Sequence, residues 1–134
     1  LSAARSGADC LGVESLGAPG ASVGELRDRL EMYSRRGPVC LTGLGYPAML
    51  ASQAPPGLEW SRQVTEIEQA DYLAEAFSLL ASGNAPEVQL AVVWNLDYAP
   101  ADGDPTDPAS PYSLLNLAGE PRSAYTRLQA LFNP

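Results

Sequence analysis

Short apolar runs alternate along this chain with stretches in which apolar residues return every three to four positions, the rhythm of strands and helices taken in turn. Residues 10–13 read as a strand, and Ser22 with Glu25 has the spacing of a capping box that opens a helix. Leu26, Leu30 and Tyr33 then share one face, Arg35 and Arg36 complement the C-terminal dipole, and Gly37-Pro38 stops the helix. Residues 39–42 follow so closely that the chain must turn straight from helix into a second strand. Thr65 and Glu68 form a second capping box, which predicts a helix over 65–83 with Ala70, Leu73, Phe77 and Leu80 as its buried stripe. The run at 88–94 is almost unbroken in its apolar character, which suits a strand covered on both faces. A final helix is predicted from Pro121, a residue suited to the first helical position, with Ala124, Leu128 and Leu131 on one face.

Strand and helix in strict alternation predict an α/β fold with parallel strands joined by right-handed crossovers. Three parallel strands leave two edges, which must pair with missing N-terminal strands or with another copy of the chain, or else leave the sheet marginal. The two long loops, 45–64 and 97–113, both leave strand C-termini, the face that carries active sites in α/β barrels. With 134 residues, however, the chain has about half of the roughly 250 that a closed barrel takes. The expectation is one partial barrel domain over 1–134.

Composition removes several classes of function. Sixteen acidic residues stand against eight arginines, with no lysine and no histidine, for a formal charge of −8. A nucleic-acid partner, which needs clustered positive charge, is not expected. Without histidine there is no Ser-His-Asp or Cys-His arrangement, no ordinary zinc site and no imidazole base. No run approaches the roughly 18 apolar residues of a membrane span, and nothing calls for a cofactor. Asp97, Asp102, Asp104 and Asp107 offer oxygen ligands, but their spacing is not that of a calcium loop, so a solvated acidic loop is expected and no metal. Cys10 and Cys40 each lie in an apolar run, which suits buried free thiols, a bridge between neighbouring strands being the other reading. The opening LSAARSGADC has neither an initiator methionine nor a signal-like apolar core, so secretion is not legible there, while LFNP after a helix reads as a natural end.

Four segments, in order, resemble the last part of glycoside hydrolases with (β/α)8 barrels, especially the cellulase-like and β-xylosidase-like retaining enzymes. PVCLTGLGYPA at 38–48 is similar to the strand-seven signature, and VTEIEQADYLAEAF at 64–77 to the helix after it. VVWNLDYAP at 92–100 resembles strand eight with its tryptophan, and PYSLLNLAGEPRSAYTRLQAL at 111–131 the closing stretch and last helix. The resemblance implies a partial barrel of about three C-terminal βα units. It also implies a retaining mechanism, in which a strand-seven glutamate attacks the anomeric carbon and a strand-four glutamate protonates the leaving oxygen.

Thr42 is followed here by Gly43, which stands at the nucleophile position, and the segment for the strand-four acid is absent from the sequence. Both carboxylates are therefore missing, and no catalytic residue is assigned. Gly45 is expected to serve the backbone turn. On the same face the resemblance places Trp94, offering an indole to a sugar ring, with Asn95 beside it. Glu14 could orient a sugar hydroxyl, and Tyr46, Trp60 and Tyr98 could line the cleft. Against each stands an ordinary structural role: a core tryptophan, a surface carboxylate, packing rings. The expected function is a glycoside hydrolase-like segment of a parent acting on β-linked polysaccharide, itself without hydrolytic activity. A carbohydrate-binding pseudoenzyme and a purely structural α/β domain are the alternatives. Carbohydrate is the expected partner, with self-association or the missing N-terminal barrel half covering the sheet edges, and secretion or cell-surface location follows from the resemblance alone.

Overall fold

The computed structural model describes residues 9–18, 20–48, 64–97, 109–116 and 118–133. The described elements run β1 (Leu11–Leu16), α1 (Val23–Ser34), β2 (Val39–Gly45), α2 (Glu66–Ala81), β3 (Val88–Val93), a 3-10 turn (Ser110–Tyr112) and α3 (Ser123–Phe132). The three strands form one sheet in the order β1-β2-β3, and both pairings are parallel. This is the partial (β/α) barrel architecture, three units instead of eight.

Both capping boxes form. The Ser22 hydroxyl accepts from the Glu25 N–H while the Glu25 carboxylate accepts from the Ser22 N–H, and Thr65 and Glu68 repeat the exchange at the start of α2. Each box satisfies two backbone donors that a helix start leaves orphaned, which is why local spacing located both helices.

The helices cover one face of the sheet. Val13 of β1 and Val39, Leu41 and Leu44 of β2 meet Leu26 and Leu30 of α1, Leu73 and Ala76 of α2, and Ala124 and Leu128 of α3 in one apolar core. The stripe of α2 is turned from the expected one. Gln69, Ala70, Tyr72, Leu73, Ala74 and Ala76 are buried, whereas Phe77 and Leu80 are only partly so, because α2 packs between α1 and α3 and needs a wide inward face.

Three expectations are corrected. β3 is not covered on both faces: Leu90 and Val92 are 51% and 42% exposed, because no described element lies over the side of the sheet opposite the helices. Helix α3 begins at Ser123 with Arg122 as its N-cap, while Pro121 lies before the helix and bridges to Leu115, and Leu131 is exposed. Cys10 and Cys40 are not free thiols but a disulfide, with Cα atoms 5.7 Å apart. Parallel pairing sets Leu11 against Val39 and so brings the two cysteines within bonding reach.

One irregularity positions the site. On β1, Val13 pairs with Leu41 but the next residue, Glu14, pairs with Gly43, so Thr42 is an extra residue on β2. The same strand skips between Leu41 and Leu44 in its pairing with β3. This is a β-bulge, which opposes two residues to one and re-aims side chains.

Candidate functional site

Strict alternation would send Gly43 to the helix side, because Leu41, two residues earlier, points there. The bulge at Thr42 turns it instead toward the open face. A Cβ on Gly43 would sit 3.5 Å from Cγ of Glu14 and 3.8 Å from Cβ of Trp94. The structure therefore brings together Glu14 of β1, Gly43 of β2 and Trp94, the residue after β3, toward the C-terminal edge of the sheet. Thr42 stands beside them, exposed, with its hydroxyl donating to the Val13 carbonyl at 3.3 Å.

Glu14 is exposed and makes no ion pair among the described residues. Arg29 approaches it, but donates to the main-chain carbonyl at 3.3 Å rather than to the carboxylate. Trp94 is half-buried. Its main-chain N–H donates to the Leu44 carbonyl at 2.8 Å, which continues the β2–β3 ladder past β3, and its ring lies 5.4 Å from that of Tyr112, tilted by 58°. The peptide bond between Trp94 and Asn95 is cis. Asn95 belongs to the same corner, its N–H donating to Tyr112 O at 3.4 Å and its carbonyl accepting from Leu114 N–H at 3.1 Å, while its side-chain Oδ1 is buried without a hydrogen-bond partner.

Gly45 has no left-handed backbone, and its smallness serves a close approach rather than the turn expected of it. A Cβ there would meet the Trp94 carbonyl oxygen at 2.7 Å and Tyr112 Cδ1 at 3.1 Å, so only glycine lets the segment after β3 lie against β2.

Tyr46 does not join this group. It is 6% exposed and stacked on Tyr72 of α2 with ring centroids 4.5 Å apart, and its hydroxyl accepts from the Gly20 N–H at 3.2 Å. Trp60, Tyr98 and the aspartates at 102, 104 and 107 lie outside the described residues. No group of three or more metal-ligating side chains occurs among the described residues. No described helix is long and apolar enough to cross a membrane.

Three contributors were not expected from the sequence. Tyr112 packs on Trp94 and donates through its hydroxyl to the Gly17 carbonyl at 3.4 Å, with burial raising its pKa above the usual tyrosine value. Gln69 is fully buried in α2, and its amide donates to the carbonyls of Tyr46 at 2.8 Å, Pro111 at 3.4 Å and Ser113 at 3.5 Å. It thus ties the segment after β2 to the segment after β3. Arg122 reinforces the tie by donating to Ala48 O at 2.9 Å; burial lowers its pKa, an effect opposed by Glu66 at 3.8 Å. A tyrosine in a proline-rich loop and a glutamine inside a helix carry no sequence signal for such roles.

No family profile and no curated protein sequence matches the chain. Solved structures do. A β-glucuronidase from Ruminococcus gnavus in complex with uronic deoxynojirimycin matches with a TM-score of 0.55 at 18% identity, covering 93% of this chain and 23% of that one. A Faecalibacterium prausnitzii β-glucuronidase gives a TM-score of 0.59 at 16% identity, over 94% of this chain and 22% of that one. A β-D-glucuronidase of Dictyoglomus thermophilum gives 0.56 at 15% identity, over 94% and 23%. The chain therefore spans about a quarter of the length of the enzymes it resembles, and what it shares with them is the fold, parallel β/α units.

Proposed function

We propose that this chain is one segment, a single partial-barrel domain over residues 1–134, of a glycoside hydrolase-like protein acting on β-linked glycans, and that the segment does not hydrolyse them by itself. The observation that carries the reading is the direction of Gly43. A Cβ on Gly43 would point toward Glu14 and Trp94, which supports reading it as the position that the resemblance gives to the nucleophile. A retaining mechanism needs two carboxylates about 5–5.5 Å apart, one attacking and one protonating. Glycine supplies no attacking atom, and Glu14, from the neighbouring strand, cannot take over a geometry that tolerates little displacement. The disulfide fits an oxidising compartment, the same direction as the secretion implied by the resemblance.

The test is the purified 134-residue chain incubated with β-glucan and xylan under a sensitive reducing-end assay. No turnover above a heat-treated control is expected, and turnover above it sinks the reading of inactivity. A second reading, a carbohydrate-binding pseudoenzyme, is favoured by the half-buried indole of Trp94, whose apolar ring suits the C–H face of a pyranose. It predicts that oligosaccharide binding is retained and that Trp94→Ala abolishes it.

A further inference from the structure

We infer that Glu14 makes this face selective by charge, accepting neutral or amino sugars and excluding uronates. The inference rests on the carbohydrate reading above and names the class of sugar that the same site takes.

Three observations carry it. The first is the position of Glu14. Paired with Gly43, its side chain borders the position that a Cβ on Gly43 would take, with Cβ of Trp94 on the other side, so a sugar seated against Trp94 has this carboxylate as a neighbour. The second is that the carboxylate is not neutralised. It is exposed, its one arginine neighbour is engaged with its main-chain oxygen, and an ionised carboxylate only accepts hydrogen bonds. Hydroxyls and ammonium groups donate to such a group, whereas another carboxylate is repelled by it.

The third is where the positive charge lies. Among the described residues, Arg27 pairs with Asp28 and Glu31 on the outer surface of α1, and Arg127 with Asp71 between α3 and α2. Arg35 and Arg36 follow α1 at the opposite end of the sheet, before β2 begins. Arg122 is buried and engaged with Ala48 O and Glu66. None of these lies beside Trp94, Arg29 is the cation next to Glu14 and is engaged with its main-chain oxygen, and the net charge of −8 works against anions generally. A uronic ligand of the kind bound by the R. gnavus enzyme would bring its carboxylate to a corner where the described side chain next to Trp94 and Gly43 is an acid.

The experiment is calorimetric titration of the whole chain and of Glu14→Gln with three oligosaccharides of equal length: β-linked glucose, β-linked glucosamine and a glucuronate oligomer. The wild type is expected to bind the neutral and amino oligomers at least tenfold more tightly than the uronate, the size of effect one unscreened charge gives at a few ångströms from another. Glu14→Gln should raise uronate affinity and lower that for the amino oligomer, so that the gap between the two closes. Raising salt from 20 to 500 mM should shrink the wild-type discrimination, a readout that needs no variant to fold. Equal wild-type affinity for uronate and neutral oligomers, or discrimination indifferent to salt, overturns the charge selection while leaving carbohydrate binding intact. Binding of none of the three overturns both.

Discussion

Glu14 and Gly43 are register partners across β1 and β2, and Cγ of Glu14 lies 3.5 Å from the point where a Cβ on Gly43 would sit. That is ordinary van der Waals separation, so Gly43 is not held as glycine by lack of room. Gly45, two residues on, is: its Cβ would lie 2.7 Å from a backbone oxygen. Gly43→Ala should therefore be tolerated or slightly stabilising, within about 1 kcal/mol, as removal of glycine's freedom in the unfolded chain suggests. Gly45→Ala should cost about 1–3 kcal/mol, as overpacking against a part that cannot yield does. Urea unfolding of the two variants side by side checks the contrast, and equal midpoints would refute it.

The Cys10–Cys40 bridge closes a loop of sequence separation 30. Loop-closure entropy for that length corresponds to about 3–4 kcal/mol. A reductant, or the Cys10→Ser, Cys40→Ser pair, should lower the thermal midpoint markedly. A scan with and without dithiothreitol decides it, because an unchanged midpoint would mean that the strands need no staple.

Gln69 faces carbonyl oxygens with its amide while its own Oε1 finds no hydrogen-bond partner. Gln69→Leu should cost about 1–3 kcal/mol by leaving those carbonyls short of a donor. Gln69→Glu should cost more, since it buries a negative charge against them. The ordering of the two variants in chemical denaturation is the measurement, and a milder Glu substitution would contradict the geometry.

Hydrogen bonds from the Thr65 backbone and then its side chain lower the pKa of Glu68 from the ordinary 4.5. A depressed folded-state pKa stabilises above the unfolded value and loses that contribution as pH falls through the folded one. The stability gap between wild type and Glu68→Ala should thus be constant near neutrality and shrink once pH drops below about 4.5. Thr65→Ala, which removes the reciprocal cap, should cost about 1 kcal/mol at neutral pH. Unfolding curves at pH 7 and pH 3 test both.

The helices were legible because their signals are local. Ser22 with Glu25 and Thr65 with Glu68 declare helix starts by spacing alone, since a capping box needs only residues three apart. The alternation of elements, and with it the parallel sheet, followed from the same local readings. At the site, Gly43 and Trp94 were read from a family resemblance and not from any local signal. Glu14 was read from its place at the end of a strand, and β1 pairs it with Gly43.

What depends on partners in space was not legible. Sequence alternation alone gives no sign that Thr42 is an extra residue and Gly43 faces outward, because a bulge exists only in the pairing of β2 with β1 and β3. Cys10 and Cys40 looked like two buried thiols until parallel register set their backbones 5.7 Å apart. The apolar run of β3 predicted cover on both faces, yet its side chains record only what the strand is suited to, not which elements are present to cover it. Tertiary structure also made Gln69 a clamp and took Tyr46 out of the site, since a helix glutamine and a loop tyrosine acquire their roles from the surfaces that close around them. Local chemistry thus determined the elements and their order, and long-range pairing decided which side chains meet.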